Sequence, residues 1–269
     1  MQRDRGNEQK GKANMEGLNN ISGCDNSDRL ADVVFVHGLD GDAQTTWHPK
    51  NQPEKFWPKW LGDDLPMVGV WSFGYAVNSS AWKGSTMPLA DRATNTLDQL
   101  ELDGIGARPV IFICHSLGGL LAKQLLRHAY DYGNPDYKCI ADQTKAIVFL
   151  STPHSGADMA TWMQHIGSLL RTTVSMEELE AHHPRLRELN LWYRNHPQAL
   201  EIKTLVYCEK KTVAGILVVN ETTADPGIRG VVPIPVDEDH VSICKPASRE
   251  SQIYRRVKRL IEDSIVDPK

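Results

Sequence analysis

The chain has 269 residues, 41% of them apolar and 24% charged, enough for one large domain with a full core and too few for a second catalytic domain. A net charge of −4 and a pI near 6.2 exclude a global electrostatic pull towards nucleic acid or an anionic membrane. Five cysteines, an odd number scattered from Cys24 to Cys244, argue against a disulfide framework and for a reducing compartment, and no CxxC or HExxH spacing points to a metal.

Residues 1–29 mix acidic and basic residues with scattered Gly and Asn and hold no continuous apolar run, so they read as a disordered polar tail. They lack the apolar core of a secretory signal and the acid-poor composition of a mitochondrial presequence. No later segment reaches the roughly 18 apolar residues of a membrane span. The expectation is a soluble, cytoplasmic protein with peripheral membrane contact at most, and nothing in the sequence fixes an oligomeric state.

One domain is expected over residues 30–269. Its first strand, Val33 to Val36, ends in His37-Gly38-Leu39-Asp40-Gly41-Asp42, a polar turn after a buried strand. Five of the seven tryptophans follow between Trp47 and Trp82, a clustering that favours packing of a helix on the sheet over a substrate mouth. Val68 to Phe73 is the next strand, and Pro88 to Leu102 carries Leu89, Ala93, Leu97 and Leu100 on one helical face.

The central stretch is Val110-Ile111-Phe112-Ile113-Cys114-His115-Ser116-Leu117-Gly118-Gly119. Its apolar strand ends before Ser116, after which Leu117, Leu120, Leu121, Leu125 and Ala129 recur at helical spacing. A strand that turns sharply into a helix at a serine lifts the hydroxyl out of the sheet, and small neighbours make room for the reversal. Ser116 is therefore the candidate nucleophile. Ala146 to Leu150 gives another strand, running into Ser151-Thr152-Pro153-His154-Ser155-Gly156; a mainly helical, lid-like insertion covers about 155–200. Strands at Ile202 to Tyr207 and Ile216 to Val219 precede a proline-containing loop with His240 and a closing amphipathic helix. On that helix Arg255, Arg256, Lys258 and Arg259 form a solvated basic face.

About six strands alternating with crossovers imply an α/β architecture, a mostly parallel sheet with helices on both faces and ligands at the carboxyl ends of the strands. There a serine hydroxyl needs a histidine to take its proton and an acid to orient that histidine, in the chain order Ser, acid, His. Only His240 follows the last strand, which makes it the candidate base. Two acids remain open: Glu209, just past the strand ending at Tyr207, and Asp225, after the following strand. The backbone N–H groups of Leu39 and Leu117 are the candidate oxyanion donors, by position alone. The chemistry calls for no cofactor.

With these residues in view, the chain resembles the lipase-like α/β-hydrolases of the serine-active-site-containing protein family and, more distantly, the GPI inositol-deacylases. The resemblance runs from about residue 33 to 260. It rests on Val36-His37-Gly38-Leu39, Thr46-Trp47, Trp57 with Trp60-Leu61, His115-Ser116-Leu117-Gly118-Gly119-Leu120-Leu121, Thr152-Pro153-His154-Ser155-Gly156, Ile234-Pro235-Val236-Asp237 with His240, and Ile243-Cys244-Lys245-Pro246. It implies the α/β-hydrolase fold and hydrolysis of acyl esters, with a small-molecule or lipid ester as substrate. Ser116 and His240 match the family's nucleophile and base, and Glu209 matches the acid that follows its penultimate strand. Cys114 stands where the usual motif has Gly, and the membrane segment and helical repeats of some relatives are missing. A peptidase or thioesterase on the same fold, or a catalytically silent binding domain, would carry much of the same pattern.

Overall fold

The computed structural model describes residues 16–75, 87–154, 162 and 176–266, without the side chains of 176–183. Seven strands form one sheet: β1 (Gly17–Ser22), β2 (Ala31–Val36), β3 (Val68–Gly74), β4 (Val110–His115), β5 (Thr144–Leu150), β6 (Lys203–Glu209) and β7 (Ile234–Val236). Their spatial order is β1-β3-β2-β4-β5-β6-β7, with β4 at the centre. All neighbours pair parallel except β1, which runs antiparallel to β3. The helices are α1 (Trp57–Asp64), α2 (Leu89–Leu102), α3 (Leu117–Asp131), α4 (Pro135–Gln143), α5 (Met176–Asn195), α6 (Pro197–Glu201), α7 (Glu221–Ala224) and α8 (Gln252–Val266).

Successive side chains on a strand point to opposite faces, so each central strand feeds two cores. Val34, Val36, Phe112, Cys114, Ile147 and Phe149 meet Leu97 of α2 and Leu121 and Leu125 of α3 on one face. Val33, Phe35, Ile111, Ile113, Val148 and Leu150 meet Trp57 and Leu61 of α1 and Ile253, Val257 and Ile261 of α8 on the other. With both faces covered, the strands read as continuous apolar runs. Trp47, Trp57 and Trp71 are buried as packing, with Phe35 edge-on to Trp47 and Trp57 at centroid distances of 4.9 and 4.7 Å, and Trp82 lies outside the described residues.

Three departures from the sequence reading have physical causes. The expected tail over 1–29 contains β1, because pairing along the β3 edge supplies the order that its composition lacks. Leu18 and Ile21 pack on opposite cores, and Asn19 Nδ2 donates to the Ser72 carbonyl at 3.1 Å. Ile216 to Val219 is not a strand. Val218 and Val219 are buried all the same, and the Val219 N–H donates 2.6 Å to the Glu209 carboxylate instead of to a ladder. The seventh ladder position belongs to β7, whose Pro235 has no N–H and is tolerated because this strand is the sheet edge. Of the helical insertion over 155–200, α5 and α6 are seen; 155–161 and 163–175, and with them any lid, lie outside the described residues.

Candidate active site

β4 delivers Ser116 at the carboxyl edge of the sheet with φ 51° and ψ −123°, a conformation that an L-residue holds only under constraint. The constraint is visible: the Ser116 N–H donates to the Leu150 carbonyl at 2.9 Å, and Thr152 Oγ1 donates to the Ser116 carbonyl at 3.0 Å. The reversal brings the first turn of α3 against the end of β2, where a Cβ on Gly118 would sit 2.5 Å from the His37 carbonyl oxygen. Only glycine fits that approach.

Ser116 Oγ lies 3.0 Å from His240 Nε2. His240 Nδ1 lies 3.4 Å from Glu209 Oε1 and 3.5 Å from Oε2. The three are 1%, 4% and 0% exposed, so water competes little for these contacts. Glu209 is held from behind as well. Its Oε1 accepts the Val219 N–H, and its Oε2 accepts the Ser151 hydroxyl. Asp225, the other acid considered, is exposed and accepts the Gly227 N–H at 2.8 Å, closing a turn away from this cluster. Ser116, His240 and Glu209 therefore meet, and Asp225 does not join them.

The loop after β2 approaches the serine from the other side. A Cβ on Gly38 would lie 2.8 Å from Ser116 Cβ, so Leu39 begins beside the nucleophile position, and Leu117 opens α3, where a backbone N–H has no intrahelical acceptor. His37 fixes this loop. Its Nδ1–H donates to the Gly38 carbonyl at 2.8 Å, its Nε2 accepts the Tyr75 N–H at 3.2 Å, and Tyr75 Oη donates to the His37 carbonyl at 2.6 Å. The two rings stack at 4.3 Å.

Tyr75, Ser151 and Val219 were not assigned roles from sequence. The Val219 contribution is a backbone N–H and leaves no side-chain signature; Ser151 is legible only as the residue after an expected strand, and nothing in the sequence marks Tyr75, two residues past another. His154, which the sequence also places at a strand end, turns instead into a buried cluster, with Nδ1 2.6 Å from Lys123 Nζ, which itself donates to Asn190 Oδ1 at 2.7 Å. Among the described residues there is no group of three or more His, Cys, Asp or Glu that could hold a metal.

Burial holds three histidines neutral. It depresses His37 to about 4, and it pushes His115 and His154 well below the ordinary histidine value, helped by neighbouring His240 and Lys123 respectively. In the unfolded chain these imidazoles take protons near pH 6.5, whereas the folded ones do not, so the unfolded state binds more protons and stability falls as pH drops below that value. Each contributes a loss of about 1.4 kcal/mol per pH unit until its folded pKa is reached, near 4 for His37. The urea midpoint is expected to fall steeply between pH 7.5 and 5.5; a flat midpoint would contradict the burial argument.

Comparison with known proteins bears on the family and the fold. Residues 26–199 match the family described as "Putative serine esterase (DUF676)". Protein SERAC1 of Danio rerio is 36% identical over 261 residues, and that of Homo sapiens 31% over 259, each alignment covering 87% of this chain. The chain spans 39% of the length of these relatives. Among solved structures, Bacillus licheniformis lipase BlEst2 superposes with a TM-score of 0.54 at 18% identity, covering 86% of this chain and 93% of its own. A structure from work on carboxylesterases of the thaumarchaeon Nitrososphaera gargenis gives 0.53 at 12%, covering 94% and 95%. The resemblance read from the motifs holds: this chain belongs to the putative serine esterase family, hydrolases of the α/β-hydrolase fold.

Proposed function

We propose that the chain is a serine hydrolase that cleaves carboxylic esters through an acyl-enzyme on Ser116. The observation that carries this reading is the 3.0 Å approach of Ser116 Oγ to His240 Nε2, with Glu209 facing Nδ1 of the same ring. In the tautomer that Glu209 favours, Nδ1 carries the proton and Nε2 is free to accept one. Ser116 Oγ attacks the ester carbonyl carbon as its proton passes to Nε2. The tetrahedral oxyanion is received by the N–H groups of Leu39 and Leu117, each worth roughly 3 kcal/mol of barrier. Collapse breaks the bond to the alcohol oxygen, which takes the proton from His240 and leaves. Water then repeats the sequence on the acyl-serine, giving the carboxylic acid and free Ser116.

Side chains and backbone supply every step, so no cofactor is needed. Lipid acyl esters are the substrate class that the motif resemblance favours. No helix among the described residues is long and apolar enough to cross a membrane. The basic face of α8 is partly neutralised by its own carboxylates, Lys258 with Glu262 and Arg259 with Asp263, which weakens it as a surface for anionic lipid.

A fluorophosphonate probe tests the reading, since it captures only an activated serine. Wild type is expected to be labelled, and Ser116→Ala is not. Matched ester, thioester and amide substrates then rank the leaving group, with esters expected fastest. A folded wild type that resists labelling would overturn the assignment in favour of a silent binding domain.

A further inference from the structure

The base residue is held at both ends by two consecutive residues of the chain. Ser116 Oγ meets the His240 ring, and His115 Nε2 lies 2.8 Å from the His240 main-chain carbonyl, to which it donates. The bond is buried and joins positions 125 residues apart. The two imidazoles lie side by side, with centroids 5.1 Å apart and planes inclined by 46°. His115 also borders the loop after β2, because a Cβ on Gly38 would come within 3.2 Å of His115 Nδ1.

The loop that carries His240 has other ties on either side of it, and the Asp239 carbonyl accepts the Ile243 N–H at 3.0 Å. Asp239 Oδ1 accepts the N–H groups of Val241 and Ser242, both at 2.8 Å, and Trp57 Nε1 donates to the Cys244 carbonyl at 2.9 Å. The peptide between His240 and Val241 is thus held at its N–H by Asp239 and at its carbonyl by the His115 side chain. Without the carbonyl tie that peptide is held from its N–H side alone, and a small rotation of it moves the imidazole.

We propose that His115 is a positioning residue, which sets the reach of the His240 imidazole to Ser116 by holding the His240 carbonyl. This rests on the serine hydrolase reading above. The role needs a donor that stays neutral while His240 becomes imidazolium in each half-reaction, since a second positive ring 5.1 Å away would oppose that charge. Burial, with the nearby His240 adding to it, keeps His115 well below the ordinary histidine pKa and so meets the requirement. The histidine at the end of this strand then has a cause. Its Nε2–H reaches the carbonyl, it carries no fixed charge, and its flat ring fits between the glycine of the neighbouring loop and the base.

The test compares His115→Leu, which removes the donor, with His115→Gln, whose side-chain amide reaches about as far as Nε2, and with His115→Asn, which is one methylene shorter. Each is measured on a short-chain p-nitrophenyl ester beside wild type and beside its own melting temperature. His115→Leu is expected to lose about 10- to 100-fold in kcat with KM within about twofold, as small misplacements of a catalytic group do. His115→Gln should recover most of the loss. If the leucine variant fails to fold, the Gln and Asn pair decides, with Gln expected at least about tenfold faster. A folded His115→Leu protein with wild-type kcat, or equal rates for Gln and Asn, would overturn the positioning role. A wild type that neither turns over ester nor takes the fluorophosphonate would instead overturn the hydrolase reading itself, so the two failures are told apart.

Discussion

Ser116→Ala and His240→Ala are each expected to lower ester kcat by about 10⁴- to 10⁶-fold, and the double variant is expected to be no slower than the worse single one. The non-additivity follows from the geometry. The 3.0 Å contact is one device, a hydroxyl with its proton acceptor, and removing either half leaves nothing for the other to do. What survives is the contribution of the oxyanion donors and of binding, which neither substitution touches. Steady-state rates for the three variants on one ester check this, and a multiplicative loss in the double variant would mean that Ser116 and His240 act separately. Stability should move differently. His240→Ala leaves the buried Glu209 without its histidine, although Ser151 and Val219 still donate to it, so a cost of about 1 to 2 kcal/mol is expected. Ser116→Ala keeps the φ of 51° and gains nothing, whereas Ser116→Gly relieves it and should raise stability by about 1 kcal/mol while abolishing turnover. Strain at the nucleophile is thus a measurable cost of presenting it.

What the sequence made legible and what it hid separate along physical lines. β4 and α3 were legible because both faces of the strand are covered and because the hydrophobic period changes at one residue, Ser116. His240 could be nominated as the base by elimination, since the fold places such a histidine after the last strand. β1 was hidden because an edge strand draws its order from its neighbour, and Asn19 and Asn20 have little strand preference of their own. β7 was hidden because Pro235 argues against a strand anywhere but at an edge. Ile216 to Val219 misled in the opposite direction: its burial is real, but its backbone serves Glu209 rather than a ladder. The site shows the same division. Ser116, His240 and Glu209 meet through their side chains and could be nominated; the Val219 N–H that holds Glu209, like the N–H groups of Leu39 and Leu117 proposed for the oxyanion, belongs to the backbone, where every residue looks alike.

The choice between the two acids gives the second large effect. Glu209→Gln is expected to lower kcat by about 10⁴-fold, and Asp225→Asn to leave it within about twofold. In wild type both carboxylate oxygens accept: Oε1 from Val219 N–H, Oε2 from the Ser151 hydroxyl, and the pair faces His240 Nδ1. A glutamine offers one accepting atom and one donating one. The Val219 N–H is fixed by the backbone and requires the oxygen at the Oε1 position, 3.4 Å from His240 Nδ1, which puts the amide NH₂ beside Ser151 and 3.5 Å from the same nitrogen. The Ser151 hydroxyl can rotate and accept from it, so the fold should survive with little loss. His240 cannot adjust without consequence: a neutral amide oxygen holds the Nδ1 proton more weakly than a carboxylate does, and the NH₂ beside it favours the tautomer with the proton on Nε2, the atom that on the proposed mechanism receives the proton of Ser116. The base is thereby partly filled before the reaction starts, and the imidazolium loses its counter-charge. Asp225 makes a turn with Gly227 at an exposed position, and an asparagine oxygen accepts the same N–H, so nothing at the serine changes. Rates for the two variants, with melting temperatures to show that both are folded, decide between the acids. A strong loss from Asp225→Asn beside an active Glu209→Gln would move the acid's role to Asp225 and require the loop after α7 to close on His240.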